Sequence, residues 1–475
     1  MAFELHHLSA QEQWDWIQRR DATVLEVVEH ALARIARLDG DLGAFARVDA
    51  ERARSTAARL DAEGPGPAPL WGVPVAEKEL ARRAGTVSGS GSRLFADRPA
   101  AASDRIITAI DAAGAVSVGA TTAPEFGLTG YTEPAGRPPA RNPWGPSTGA
   151  GGSSGGAAAA VAAGLVPVAV GSDGGGSVRI PAATCGVVGL KPSRGRVPAQ
   201  GGRESLAGMV TAGPIGRSVA DVAMVLDALG APDGVPRRPP FALVPPGEGP
   251  FLGAAVRGEG RFQVGVLEGS VWDEAVDIAV DPASVAAVGR TIAALDELGH
   301  GLEPVRLPGE RYPEFFGVLW AASAAGIPAH GEAELALLES YTAAMVERGR
   351  ALPAERLLWA LSAAAAFERR AVAAFDGFDA VLTPALALPP MPLGWFTEDP
   401  DPDVVFARQV QAAPYSSFVN IAGLPAIVLP VGAADTGWPA GVQLIGRPGG
   451  EATILALARQ LERRFGWPRR HPPVW

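Results

Sequence analysis

The chain has 475 residues, of which 47% are hydrophobic and 19% are charged, so it is long enough to bury a large core. Its formal net charge of −10 gives no electrostatic basis for nucleic-acid binding. The first residues lack the basic and apolar regions of a signal peptide, and the single cysteine, Cys185, excludes an internal disulfide framework. We therefore expect a cytoplasmic protein in which Cys185, in an apolar stretch, is a small core residue.

Two helices are predicted at the N-terminus, over 21–39 and 43–62, because apolar residues recur there at helical spacing. After a Pro/Gly linker at 64–69, strands are predicted at 73–76, 115–118, 166–170, 263–267, 380–382, 426–430 and 442–445. Helices are predicted between them at 103–113, 155–164, 219–229, 284–298 and 451–465. This alternation predicts an α/β fold, with a large mixed β-sheet core covered by helices on both faces.

Three stretches need a separate interpretation. Residues 231–260 are rich in Pro and Gly and are predicted to form a long loop or linker. Residues 311–375 are rich in Ala and helical in pattern, which predicts a helical layer inserted over the sheet. The uncharged run 153–172 is long enough to fill a membrane, but its Gly, Ala and Ser content and Pro167 favour a buried helix followed by a strand.

Lysine is scarce in this chain: only two of the 41 basic residues are lysines, Lys78 and Lys191. Arginine serves equally well as a solvated surface charge, but only the lysine amine can lose its proton when it is desolvated. Each lysine is therefore a candidate titratable amine, and chance retention in an Arg-rich sequence is the alternative. Lys78 follows the predicted strand 73–76, and Lys191 lies in a Gly-Leu-Lys-Pro turn.

The densest chemical signal lies between residues 147 and 191. Gly-Gly-Ser-Ser-Gly-Gly at 151–156 opens an Ala-rich helix, and a second Ser/Gly loop at 171–177 follows the strand at 166–170. A phosphate loop would need a Lys and a Ser or Thr after the glycines, and a dinucleotide fingerprint would need a strand before them. A nucleophile elbow would need a preceding strand and a partner histidine. The sequence favours none of these three sites.

Residues 151–192 resemble the amidase signature family, whose hallmark is a GGSSGG loop, a helix and then GSDxGGSxRxPAxxCGxxGLKP, with Gly174 at the first variable position. Segments at 122–127, 141–144, 420–426 and 437–446 resemble the family as well, so the likeness runs from about residue 20 to residue 468. It implies a single amidase signature domain over 1–475, with N-terminal helices in 1–65 and a variable helical insertion at about 311–375.

The resemblance places the family's catalytic triad on Lys78, Ser153 and Ser177. Ser177 would attack the amide carbonyl, and Ser153, which follows a cis peptide bond, would stand between Ser177 and Lys78. Lys78 would be a neutral base, because an amine buried among apolar groups loses part of its preference for the charged form. Arginine could not take this role, which explains why position 78 has kept its lysine.

Further roles follow from the same resemblance. The backbone N–H groups of Gly174, Gly175, Gly176 and Ser177 would form an oxyanion hole, since glycines let successive amides point at one oxygen. Ser154, Asp173 and Arg179 match positions that brace this loop by hydrogen bonds and ion pairing. Lys191 is expected to be structural.

The sequence departs from the family's pattern beside the lysine. The family usually has an apolar residue before the lysine and Asp after it, whereas Lys78 is flanked by Glu77 and Glu79. Neighbouring carboxylates favour the charged ammonium and oppose a neutral base. If they point away from Lys78 we expect a small effect, and otherwise a raised pH optimum or weak activity.

The main hypothesis is a hydrolase that cleaves a carboxylic amide to an acid plus an amine or ammonia through a serine acyl-enzyme. It needs no cofactor and no metal, and its expected partner is a small-molecule amide, with no nucleic acid and no membrane; a homodimer is left open. The second hypothesis is the glutaminase component of a tRNA-dependent amidotransferase, and the third is a non-catalytic binding protein on the same scaffold.

Several segments bear on the subgroup and on the choice of substrate. Ile180 stands where the amidotransferase glutaminase usually has Gln, and residues 191–196 depart from its GLKPTYG sequence, which favours a stand-alone hydrolase. Residues 132–134, 191–196 and 467–470 resemble the 6-aminohexanoate cyclic dimer hydrolase type. Substrate selection is expected in 127–140, 311–375 and 385–416. Aromatic side chains there could line an acyl pocket, with plain core packing as the alternative; they are Trp320, Trp359, Trp395 and Phe396.

Overall fold

An eleven-stranded mixed sheet organises the computed structural model, which describes residues 4–96, 98–197, 205–230, 250–433 and 437–475. The strands are β1 (Phe45–Val48), β2 (Pro74–Lys78), β3 (Val116–Thr121), β4 (Val168–Asp173), β5 (Val188–Lys191), β6 (Thr211–Gly216), β7 (Gln263–Glu268), β8 (Gly301–Arg306), β9 (Ala380–Pro384), β10 (Ala426–Ala433) and β11 (Pro439–Gly446). Their order is β1-β3-β2-β4-β6-β5-β10-β11-β9-β7-β8. Pairing is parallel at β3-β2-β4 and at β9-β7-β8, and antiparallel between the other neighbours.

Sixteen α-helices lie in the described ranges. They are α1 (Ala10–Arg19), α2 (Val24–Leu42), α3 (Ala50–Glu63), α4 (Arg105–Ala112), α5 (Gly155–Ala162), α6 (Arg179–Cys185), α7 (Val219–Gly230), α8 (Phe251–Arg257), α9 (Pro282–Glu297), α10 (Tyr312–Ala325), α11 (Gly331–Leu335), α12 (Ser340–Arg350), α13 (Ala354–Phe375), α14 (Pro402–Ala412), α15 (Ser417–Ile421) and α16 (Glu451–Phe465). None of them is both long and apolar enough to cross a membrane. The predicted α/β fold, with helices on both faces of a mixed sheet, is confirmed.

The alternation of side chains along β2 fixes which residues face the active site. Val75 points into the core formed with α4, α7 and α16, whereas Ala76 points into the core formed with α2, α3 and α5. Because successive side chains of a strand point to opposite faces, Lys78 lies on the α5 face with Ala76. Glu77 lies on the other face with Val75. The strand thus separates the lysine from one of its two flanking carboxylates.

The N-terminal helices differ from the prediction. The predicted helix 43–62 is wrong at its start, because residues 45–48 form β1, an edge strand that pairs with β3, and α3 begins only at residue 50. Gly43 ends α2 with φ 59°, and a Cβ there would lie 2.5 Å from the carbonyl oxygen of Pro139. Helix α1 was not predicted, although Ser9 and Glu12 form a capping box that marks its start.

All seven predicted strands are present, and β1, β5, β6 and β8 are additional. Two of these strands, β6 and β8, contain a proline, which is unfavourable inside a central strand. Pro304 lies in β8, at the edge of the sheet, where a missing N–H is tolerated. Pro214 lies in β6, but β5 pairs only with residues 215 and 216 of that strand, so Pro214 has a ladder partner on one side only.

Two predicted irregular segments can be compared with the structure. Residues 311–375 are helical, as predicted, and form α10 to α13. In the predicted loop 231–260, residues 231–249 lie outside the described residues. The prediction is wrong for 251–257, which form α8 and bury Phe251 and Ala255 against the core.

Candidate active site

Lys78 ends β2 on the α5 face of the sheet, and its side chain is only 1% exposed. Its Nζ lies 2.7 Å from Ser153 Oγ and 3.2 Å from Ser172 Oγ. Ser153 belongs to the loop that leads into α5, and Ser172 belongs to β4, which pairs with β2. The contact with Ser172 was not predicted, although Ser172 is part of the Gly-Ser-Asp sequence of the signature. The fold therefore surrounds the amine with two serine hydroxyls.

The electrostatic surroundings of Lys78 favour a neutral amine. Burial lowers the pKa of Lys78 to about 7, because the charged ammonium is poorly solvated there. The carboxylates of Asp173 and Glu79 act in the opposite direction and raise this pKa, but burial outweighs them. A substantial fraction of the amine is therefore neutral near pH 7, and neutral amine can accept a proton from a serine hydroxyl.

The two carboxylates that flank Lys78 are both paired with arginines. Glu77 accepts hydrogen bonds from Arg83 Nε at 2.7 Å and from Ser117 Oγ at 2.6 Å, on the face opposite Lys78. Glu79 accepts a hydrogen bond from Arg137 Nη1 at 2.7 Å and one from the backbone of residue 123 at 3.0 Å. Of these two carboxylates, only Glu79 acts on the pKa of Lys78. The negative charges of Glu77 and Glu79, by which the sequence departs from the family's pattern, are thus each paired with an arginine.

The loop before α5 is held tightly against neighbouring backbone. The peptide bond between Gly152 and Ser153 is cis. A Cβ on Gly152 would lie 2.6 Å from the backbone of Tyr131, so only glycine fits there. The Ser154 N–H donates to the carbonyl of Ser177 at 3.1 Å. Ser154 therefore ties the loop of Ser153 to the loop that carries Ser177.

The structure changes the composition of the expected oxyanion hole. The N–H of Gly176 donates to Asp173 Oδ1 at 2.8 Å, so it is not available to a substrate oxygen, and its assignment as an oxyanion donor is corrected. The N–H groups of Gly174, Gly175 and Ser177 have no hydrogen-bond partner among the described residues. Gly176 is required by its backbone instead, because its φ is 127°. The available donors are therefore three, not four.

Asp173 and Arg179 form the centre of a buried polar network. Arg179 donates to Asp173 through Nε at 3.0 Å and through Nη2 at 2.9 Å. It also donates to Asn420 Oδ1 and to Gln443 Oε1, each at 2.6 Å. Although burial raises the pKa of Asp173, Arg179 together with Lys191 and Asn420 outweighs it and holds that pKa well below its usual range. The sequence did not indicate roles for Asn420 and Gln443, because both lie more than 240 residues along the chain.

Two cavities meet at Ser177. The first, which we call the aromatic chamber, has an empty volume of about 920 Å³, and its walls include Tyr131, Trp272, Phe316, Phe396 and Phe406. The second, which we call the serine chamber, has an empty volume of about 2550 Å³, and its walls include Ser88, Ser90, Ser153, Ser172, Ser205 and Ser323. Leu128, Ser177 and Trp320 line both. The Ser177 hydroxyl has no hydrogen-bond partner in the described part of the chain, so it can turn toward a bound substrate.

The aromatic residues singled out in the sequence divide into two groups. Trp320 and Phe396 line the aromatic chamber, so the pocket interpretation holds for them. Trp359 packs between the guanidinium groups of Arg311 and Arg356, 4.4 and 4.2 Å from its ring. Neither Trp359 nor Trp395 is among the residues that line the two chambers in the described ranges. Phe316, one helical turn before Trp320, could have been found by this spacing, whereas Trp272 carries no comparable sequence signal.

Lys191 and Cys185 lie outside both chambers. Lys191 is buried, and its Nζ donates to the carbonyl of Pro192 at 2.8 Å. Burial and, next in size, the charge of Arg179 lower the pKa of Lys191 to about 7. Cys185 is a buried free cysteine, and burial raises the pKa of its thiol, which makes it a poor nucleophile.

Glu4, His6 and His30 are the residues that could jointly hold a metal ion in the described part of the chain. His6 Nδ1 lies 3.0 Å from His30 Nε2 and 3.2 Å from Glu4 Oε2. Burial, then the charges of Arg34 and Arg217 among others, lower the pKa of His6 to about 3. The two arginines that disfavour a proton also disfavour a metal cation, and none of the three ligands lines a chamber at Ser177.

Comparisons with known proteins show what this chain is similar to. The family model described as Amidase matches residues 26–455. The putative amidase AmiB2 of Mycobacterium bovis is 37% identical over 94% of this chain and 94% of its own length. A glutamyl-tRNA(Gln) amidotransferase chain of Anaeromyxobacter dehalogenans is 34% identical over 99% of both chains. The structure of 6-aminohexanoate cyclic dimer hydrolase complexed with substrate matches with a TM-score of 0.89 at 28% identity, over 99% of both chains.

Proposed function

Since this chain belongs to the amidase family and is a hydrolase that acts on amides, we propose that it works through a serine acyl-enzyme, with Ser177 as nucleophile, Ser153 as proton carrier and Lys78 as base. The observation that carries the proposal is the 2.7 Å contact between Lys78 Nζ and Ser153 Oγ. This contact joins a buried amine whose pKa is lowered to about 7 to a hydroxyl that lines the same chamber as Ser177.

The proposed acylation uses all three of these groups. Ser177 Oγ forms a bond to the substrate carbonyl carbon while its proton passes through Ser153 to Lys78. The N–H groups of Gly174, Gly175 and Ser177 would stabilise the negative oxygen, each by about 3 kcal/mol in the transition state. The C–N bond then breaks, and Lys78 returns the proton through Ser153 to the leaving nitrogen.

Deacylation reverses the roles with water in place of the amine. Water gives a proton through Ser153 to Lys78 and attacks the acyl carbon. The acid leaves as the bond to Ser177 breaks, and Ser177 regains its proton. Asp173 and Arg179 act as positioning residues, because Asp173 fixes the backbone of Gly176 and Arg179 fixes Asp173.

The glutaminase component of an amidotransferase is the second candidate. It is favoured by the 34% identity with the glutamyl-tRNA(Gln) amidotransferase chain. It is opposed by Ile180 and by residues 191–196, which depart from that subgroup's pattern. The isolated chain separates the two candidates. Turnover of simple anilides without any partner supports the hydrolase, whereas ammonia release from glutamine only with a co-purifying partner and tRNA supports the amidotransferase component.

Labelling with a fluorophosphonate probe tests the nucleophile and excludes a non-catalytic binding protein. We expect the probe to label the wild-type chain and the Ser323→Ala variant, but not Ser177→Ala. Ser323 is a suitable control because it is an exposed serine of the same chamber, outside the proposed machinery. Equal labelling of Ser177→Ala and wild type would contradict the proposal.

A further inference from the structure

We propose that the acyl group of the substrate binds in the aromatic chamber and its amine in the serine chamber, so that the preferred substrates are amides of neutral, apolar acids. This inference rests on the proposed function, because it uses the roles given there to Ser177 and Ser153. It adds a direction to the site and a chemical class to the acid half of the substrate.

The direction follows first from the position of Ser177. Ser177 lines both chambers, so a carbonyl carbon bonded to its Oγ has one chamber on each side. The available backbone donors have the same arrangement, since Gly174 lines the serine chamber and Gly175 the aromatic chamber. A carbonyl oxygen held between these two amides therefore directs one substituent of the carbonyl carbon into each chamber.

The position of Ser153 determines which chamber receives the amine and which receives the acyl group. It must deliver a proton to the leaving nitrogen, which requires hydrogen-bond distance between its hydroxyl and that nitrogen. Ser153 lines the serine chamber and is not among the residues that line the aromatic chamber in the described ranges. The nitrogen must therefore be on the serine side. The acyl group, on the other side of the carbonyl carbon, enters the aromatic chamber.

The walls of the aromatic chamber select an apolar group. Trp272 contacts Phe316 and Phe406 edge to face, with ring centres 5.4 and 5.8 Å apart, and Tyr131 stacks on Phe396 at 4.9 Å. Such a surface gains free energy by covering apolar acyl carbon atoms, in proportion to the area removed from water. The preference should therefore increase with the length of the acyl chain until the chamber is full.

The charges of the aromatic chamber exclude an acid group on the acyl side. Its lining residues in the described ranges include no Lys, Arg or His, and Glu133 is their one carboxylate. Glu133 Oε2 accepts a hydrogen bond from the N–H of Gly394 at 2.8 Å, and no ion pair with it is formed among the described residues. A second carboxylate placed there would lose its hydration without gaining a counter-charge.

The serine chamber differs in its charges. Its walls combine apolar side chains with serine hydroxyls and with Arg82 and Arg98, and they include no carboxylate in the described part of the chain. Arg82 is paired with Asp104, with Nη2 and Oδ1 2.8 Å apart. A polar or anionic substituent on the amine is therefore tolerated on this side. The same chamber can admit the water that hydrolyses the acyl-enzyme.

The test places one carboxylate on either half of the same substrate. N-hexanoyl-aniline is compared with N-adipoyl-aniline, which has the same acyl length and a terminal carboxylate, and with N-hexanoyl-4-aminobenzoate, whose carboxylate is on the amine. N-acetyl-aniline is the short-chain reference. We expect kcat/KM to be about tenfold or more higher for the hexanoyl than for the acetyl or adipoyl compound. The 4-aminobenzoate compound should retain most of the hexanoyl value.

Two matched variants add a steric test. Ala412 lines the aromatic chamber and Ala322 the serine chamber, and both are partly exposed residues of helices. Ala412→Leu should lower kcat/KM for the hexanoyl anilide about tenfold and leave the acetyl anilide nearly unchanged. Ala322→Leu should show no such dependence on acyl length and should discriminate between small and large amines. Thermal unfolding shows whether each variant is folded, and the two variants test the assignment independently.

The results separate this assignment from the proposed function. Hydrolysis of the adipoyl anilide together with rejection of the 4-aminobenzoate compound would reverse the two chambers and overturn the assignment alone. The same holds if Ala322→Leu, rather than Ala412→Leu, discriminates by acyl length. Absence of fluorophosphonate labelling at Ser177, with no turnover of any anilide, would overturn the proposed function and the assignment with it.

Discussion

Lys78 and Lys191 are buried lysines with similar pKa values and different surroundings. Burial lowers the pKa of each to about 7. The amine of Lys78 contacts two serine hydroxyls, which can give and take protons, and one of them is Ser153. The amine of Lys191 contacts the carbonyl oxygen of Pro192, which has no proton to exchange. A lowered pKa therefore identifies a buried amine, whereas contact with a hydroxyl is what the role proposed for Lys78 requires.

The largest effect on activity is expected from substitution of Lys78. Lys78→Arg should lower amide hydrolysis on the order of 10³-fold, because a guanidinium does not give up its proton and cannot act as the base. Lys78→Met, which has no basic nitrogen, should lose activity to a similar extent. Circular dichroism and thermal unfolding establish that both variants are folded. Retention of most activity by Lys78→Arg would refute the role of Lys78 as base.

The matching substitution at the other lysine should act on stability. Lys191→Arg places a larger, permanently charged group in a filled site beside Arg179, so the free energy of unfolding should fall by about 1–3 kcal/mol. The activity of each folded molecule should change little, since Lys191 lines neither chamber. Chemical denaturation and active-site titration with the fluorophosphonate measure the two quantities. A selective loss of kcat with unchanged stability would mean that the two lysines do not differ as described.

The pH dependence distinguishes the two lysines in a second way. Activity should fall as the pH drops below about 7, because protonation of Lys78 removes the base. Both lysines bind fewer protons in the folded state than in the unfolded state between pH 7 and their ordinary pKa of 10.5. Their contribution therefore makes stability rise with pH across this window. Lys191→Met should reduce this rise and leave the acidic limb of activity in place, as pH-dependent denaturation and pH–rate profiles would show.

The smallest effect is expected from substitution of Glu79, which acts on the pKa of Lys78. Glu79 raises the pKa of Lys78, so Glu79→Gln should shift the acidic limb of the pH–rate profile toward lower pH by a fraction of a unit. Glu77→Gln is the matched control, because Glu77 lies on the other face of the sheet and should leave the limb in place. A larger shift in Glu77→Gln than in Glu79→Gln would contradict the assignment of faces.

The sequence predicted much of this site because its residues are close in the chain or carry the family's signature. Lys78, Ser153 and Ser177 could be named from the sequence. The alternation of side chains along β2 explains why Glu77 does not raise the pKa of Lys78. The use of the Gly176 N–H by Asp173 depends on a loop conformation that no spacing encodes. Trp272 could not be assigned to a chamber wall either, since that position depends on how α10 packs over the sheet.

The fold was predicted correctly where the hydrophobic periodicity is strong. The prediction failed where the local sequence favours one structure and the pairing of strands imposes another. Strands such as β9 and β10 contain continuous apolar runs and were predicted. Strands β6 and β8, which were not predicted, contain prolines that the sheet accommodates at positions without a full ladder. The segment 43–62 has helical composition throughout, but pairing with β3 converts its first residues into an edge strand.

The buried network around Arg179 has a consequence for the biosynthesis of the protein. Arg179 anchors the loop of Ser177 through Asp173. Arg179 is itself held by Asn420 and Gln443, which lie 241 and 264 residues later in the chain. A nascent chain in which Ser177 has already been synthesised therefore lacks the partners that shape its loop until residue 443 has been made. Hydrolytic competence is thereby coupled to synthesis of this later segment, and fragments that end before residue 420 should be inert toward amides.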